Sequence, residues 1–62
     1  MVIEEVNIFD YEFLTGAWTG PPGAALWQTA EFCRNAGWGE YGKPTEKGQT
    51  AVDYFEKYVK NT

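Results

Sequence analysis

"AGWGEYGKPTEKGQTAVDYF", residues 36–55, decides how this chain is organised. Gly37 reads as the residue that closes one helix. Thr45, with Pro44 before it and Glu46 after it, reads as the N-cap of another. Between them, Trp38 and Tyr41 favour extended backbone, while Gly39 and Gly42 permit a tight or bulged turn. A minimal β-hairpin or an extended arm over 38–44 is therefore expected between two helices.

Downstream, a final helix over 45–60 is expected to bury a stripe of Ala51, Val52, Phe55, Tyr58 and Val59. Asp53–Lys57 and Glu56–Lys60 are acid-before-base pairs four residues apart, suited to its solvated side. Upstream, "AALWQTAEFCRNAG" (24–37) reads as a second helix. At about 100° per residue, Leu26, Ala30 and Cys33 fall together. Trp27 flanks them on one side, and Thr29, Ala36, Ala25 and Phe32 on the other. That apolar arc predicts a central, largely buried helix whose remaining face holds Gln28, Glu31, Arg34 and Asn35.

"TGPPG" (19–23) breaks regular structure, because proline and glycine there exclude both helix interior and central strand. Before it, "VNIFDYEFLTG" (6–16) reads as a first helix with Asn7 as cap and Gly16 as stop. Val6, Ile8, Phe9 and Phe13 fall near one side of it; alternation over 2–9 also permits a strand.

At 62 residues, with one cysteine and no histidine, this is a single domain without an internal disulfide or a recognisable metal site. Stability must come from packing, and the 18% aromatic content supplies it: Trp18, Trp27, Trp38 and the four phenylalanines are the expected core mass. Homodimerisation is another way to gain burial. Cys33 fits either a reducing compartment or a buried thiol acting as a small apolar residue. An acidic start (Glu4, Glu5) without a basic flank and apolar run is unlike a secretory leader, and no apolar stretch is long enough for a membrane span. A soluble, cytoplasmic protein with no membrane partner is expected. The net charge of −4 is uneven: residues 1–22 form an acidic segment with four acids and no base, whereas residues 23–62 hold five of each sign.

The run "RNAGWGEYGKPTEKGQTAVDYF" (34–55) resembles the winged-helix (winged helix-turn-helix) family. There a recognition helix ends "AG(W/L)", a short hairpin wing follows, and the last helix opens "(L)TEKG…A…Y/F". The resemblance covers about residues 24–60. It implies a mainly α fold, a small three-helix winged-helix-like domain with a short β-hairpin or extended arm between helices 2 and 3, and DNA-binding or transcription-regulatory function on double-stranded DNA. It places Gln28, Arg34 and Asn35, with Glu31 among them, on the exposed recognition face, Lys43 in the wing, and Lys47 near phosphates at the start of the final helix. The link is shorter than a full two-stranded wing, and "TGAWTGPPG" leaves no regular helix where the family has its second.

Enzymatic function is not expected: Cys33 lacks a base partner, there is no glycine-rich phosphate loop, and Asp10 and Glu12 diverge on a helix. No cofactor is implied. The rival to DNA binding is an acidic protein-interaction module that binds or inhibits a partner protein, such as a phage-encoded regulator. Tyr11, Trp18, Trp38 and Tyr41 are its candidate anchors, since Trp and Tyr dominate binding hot spots.

Overall fold

A computed structural model describes residues 6–60 of the chain. It is mainly helical, with a two-stranded antiparallel hairpin between the second and third helices, the winged-helix-like order expected. Residues 2–5 of the strand alternative, and Glu4 and Glu5 of the acidic segment, lie outside the described residues. Helix α1 spans Ile8–Thr15. Asn7 caps it through a reciprocal box: its side chain accepts from the Asp10 amide at 3.0 Å, and Asp10 accepts from the Asn7 amide at 3.2 Å. At the other end Gly16 takes φ 75°, and Ala17 N–H donates back to the Glu12 carbonyl at 2.9 Å.

Helix α2 spans Ala24–Asn35. It closes as "NAGW" suggests: Gly37 N–H donates to the Arg34 carbonyl at 3.1 Å and Trp38 N–H to the Cys33 carbonyl at 2.8 Å. The hairpin follows at once, β1 (Gly39–Glu40) pairing with β2 (Lys43–Pro44) in the register Gly39↔Pro44 and Glu40↔Lys43. In its turn only Gly42 has positive φ. Such a turn does not match strand twist as the primed turns do, in keeping with a ladder of two residue pairs.

Helix α3 spans Glu46–Tyr54 and continues as a π-helical segment, Phe55–Lys60. Thr45 caps α3 by accepting from Gly48 N–H at 3.1 Å, while its hydroxyl donates to the Gly37 carbonyl at 2.6 Å and its amide to the Trp38 carbonyl at 2.8 Å. One residue therefore ties the end of α2, the base of the hairpin and the start of α3.

The core gathers Val6, Phe13, Leu14, Cys33, Ala36, Trp38, Ala51, Val52 and Phe55. Three expectations about burial are corrected. Trp27 is not core but 69% exposed, and of the four phenylalanines Phe9 is exposed and Phe32 half-buried. Helix α2 is not largely buried either: Cys33 is its one fully buried residue, with Leu26 and Ala30 packed at the margin. A chain this short has too few neighbouring elements to cover more than one stripe of a helix. On the last helix Ala51, Val52 and Phe55 are buried, but Tyr58 and Val59 are exposed. From Phe55 the backbone changes to i→i+5 bonding, so this end of the stripe no longer follows the α-helical period on which it is predicted. Among the described residues the expected charge pairs do not form: Asp53 accepts from Gln49 and Glu56 from Tyr11.

Candidate functional site

The outer face of α2 is the first surface to consider. Trp27, Glu31 and Arg34, at helical spacing, share it, with Gln28 and Asn35 exposed beside them. All five residues implied for nucleic-acid contact, Gln28, Arg34, Asn35, Lys43 and Lys47, are solvent-exposed. Their charge is another matter. Arg34 grips Glu40 of β1 in a two-point pair, Nε to Oε2 at 2.8 Å and Nη2 to Oε1 at 2.9 Å. Hydrogen bonding to Arg34 holds the Glu40 carboxyl below the usual carboxylate range, and bonding to Glu40 raises Arg34 in turn. Lys47 lies by the C-terminal end of α2, where a Cβ built on Gly37 would meet its Cδ at 3.8 Å. Carbonyl ends there favour a cation. Taken with Glu31 and Glu46, the three bases of this region face three acids.

The four proposed anchors divide. Trp38 is 1% exposed and packs edge-to-face on Phe32 with ring centroids 5.5 Å apart, so it is a core residue and not an anchor. Trp18 is half-buried against Phe9, its indole N–H donating to the Pro21 carbonyl at 3.1 Å. Tyr11 is half-buried, stacked on Phe55 and donating its hydroxyl to Glu56 at 2.8 Å. Tyr41 is exposed on one side, but its ring meets Phe13 edge-on and its hydroxyl donates to the Gly16 carbonyl at 3.1 Å. These aromatics are engaged in holding the domain together. Trp27, which periodicity had assigned to the margin of the core, is the most exposed large aromatic of the described residues.

A second surface was not legible in the sequence. Between the start of α1 and one side of α2 runs an open groove of ≈ 240 Å³, lined by Asn7, Phe9, Asp10, Ala25, Gln28, Thr29 and Phe32. Asp10, counted in the sequence as one acid of the acidic N-terminal segment, is only 2% exposed. One of its oxygens accepts from Asn7 N–H and the other from the Cys33 thiol at 3.5 Å. Burial raises the Asp10 pKa against the lowering effect of those bonds. Burial, and then the nearby carboxylate, push the Cys33 thiol up to about 12, so it stays protonated and unreactive near neutrality. The capping box was the one available sequence signal: an acid at N3 under Asn7 turns back toward the chain.

This arrangement has a pH signature. The folded state holds the Asp10 proton more tightly than the unfolded chain, so Asp10's contribution is fully present below its ordinary value of 3.8 and is lost as pH rises through the raised folded value. Urea denaturation at a series of pH values should therefore show Asp10→Asn gaining on the native protein as pH rises through that window. Parallel profiles for the two proteins would show that Asp10 titrates normally.

Comparison with known proteins found no matching family model, no matching curated protein and no matching solved structure. Among the described residues no helix is long and apolar enough to cross a membrane. The functional reading therefore rests on these two surfaces.

Proposed function

We propose that this chain is a non-enzymatic protein-binding module whose contact face is the outer side of α2 with the adjoining hairpin. The observation that carries this reading is Trp27, 69% exposed on a face where Arg34 is already spent on Glu40. A lone exposed tryptophan beside a self-neutralised ion pair suits a protein surface: the indole supplies apolar area, and the pair forms a polar rim. The same neutrality weighs against a nucleic-acid face, where affinity depends on bases free to replace counterions. The winged-helix-like order supplies a presented helix and hairpin in either case, and descent from that family remains part of the proposal. We place the protein in the cytoplasm, where a free thiol such as Cys33 persists reduced.

The test sets Trp27→Ala beside the native chain. Its folding stability should stay within about 0.5 kcal/mol, because the side chain is largely solvated. Retention of a protein partner from extract should fall at least tenfold, ~1.4 kcal/mol or more at a hot-spot residue. A partner retained equally by Trp27→Ala would overturn the face. A mobility shift of random duplex DNA at ~50 mM salt, abolished by Lys43→Glu, would restore the DNA-binding reading.

A further inference from the structure

The groove between α1 and α2 lies on a different side of α2 from Trp27. Its α2 wall, Ala25, Gln28, Thr29 and Phe32, follows the i, i+3, i+4, i+7 spacing of one face, and Trp27, Glu31 and Arg34 occupy another. We propose that this groove receives an arginine side chain presented by a partner polypeptide, with the guanidinium on Asp10 and Phe9 and Phe32 as apolar walls.

A carboxylate can accept about four hydrogen bonds. Among the described residues Asp10 has two donors, the Asn7 amide at 3.2 Å and the Cys33 thiol, a weak donor, at 3.5 Å. No lysine or arginine of the described chain is in ion-pair contact with it; the one ion pair there joins Arg34 to Glu40. A buried acid with acceptor capacity to spare, lining an open groove, is best matched by a cation carrying several donors. Phe9 and Phe32 sharpen the choice. Arginine is more weakly hydrated than lysine, presents a planar fork to a carboxylate, and stacks on aromatic faces.

The source follows from the sequence. This chain has a single arginine, and Arg34 is held by Glu40, so a second copy is not the occupant. The groove is open to solvent, with Gln28 and Phe9 among its lining residues exposed, which leaves room for the backbone that bears the arginine. A chain of net charge −4 also draws basic polypeptides toward itself.

The experiment titrates the full chain with the blocked tripeptide Gly-Arg-Gly, its lysine and citrulline counterparts, and free arginine, reading two-dimensional amide NMR. The arginine peptide should shift the Asn7, Phe9, Asp10 and Thr29 amides, and the citrulline peptide should not. Asp10→Asn should weaken binding at least ~tenfold, as loss of one partner of a buried pair does. Gln28→Lys, a change at an exposed position that brings a cation to the groove, should do the same without altering the fold. Trp27→Ala should bind the peptide unchanged, so failure here and failure of the outer-face reading are told apart. Absence of shifts, equal shifts with citrulline, or native affinity in both groove variants would overturn the site. Equal affinity for the lysine peptide would overturn the arginine assignment, and equal affinity for free arginine the polypeptide source.

Discussion

Trp38→Ala is expected to lower folding stability by about 3–5 kcal/mol, a large share of what a domain this small has. The indole is 1% exposed and is the largest fully buried side chain of the molecule. Truncating such a residue costs about 3–5 kcal/mol, from lost burial and from the cavity left behind. At roughly 0.05–0.15 kcal/mol per residue, a 62-residue domain has only about 3–9 kcal/mol of stability to lose. The backbone bonds of Trp38, to Cys33 before it and Thr45 after it, survive the change, so the loss measures the side chain. Circular dichroism during urea titration reads it directly. Trp38→Phe, which keeps a ring against Phe32, should retain a cooperative transition at lower midpoint. A stable, cooperative alanine variant would show that the hairpin base does not anchor the core.

Gly48→Ala sets two effects against each other. In an exposed helix this change gains up to about 1 kcal/mol, because alanine is the better helix former. Here a Cβ would overlap the Trp38 carbonyl oxygen, lie 2.7 Å from its carbon and 3.1 Å from Pro44 Cβ. The carbonyl cannot swing aside without losing the Thr45 amide it accepts at 2.8 Å. The steric cost should win, with a net loss of about 2–3 kcal/mol or more, in the upper range for overpacking. Thr50→Ala, on the exposed side of the same helix, should shift stability by no more than about 0.5 kcal/mol. If Gly48→Ala stabilised the protein as propensity alone predicts, the close approach of α3 to the hairpin would be wrong.

That glycine also shows where sequence reading succeeded and where it stopped. Asn7, Gly16, Gly37 and Thr45 were legible because caps are local: each acts on backbone groups a few residues away, and the residue type announces the bond. The helix order and the short hairpin followed from them. In "TEKG" the threonine could be read this way, but the glycine could not. Its reason is a carbonyl ten residues earlier, brought overhead only by the finished fold. Trp27 was misread, and the burial of Asp10 missed, for a related reason. Periodicity identifies an apolar arc, but only packing decides which part of it a neighbour covers. Composition counts an acid without seeing that a capping box has turned it inward. The loss of the Tyr58–Val59 end of the last stripe is different again: the change to π-helical bonding has no signal in the pattern of apolar residues.

The hairpin is held at more than its base. At the tip, Gly42 N–H donates to the Phe13 carbonyl at 2.9 Å, and Tyr41 reaches the end of α1; midway, Glu40 is joined to Arg34. A wing that reads a surface by adapting to it must be ordered when it binds, and that ordering subtracts from affinity. This one is a strut, already ordered before any encounter. Its contribution to recognition is preorganisation: a partner meeting α2 meets the hairpin in fixed register with it, so little conformational entropy remains to be lost on association.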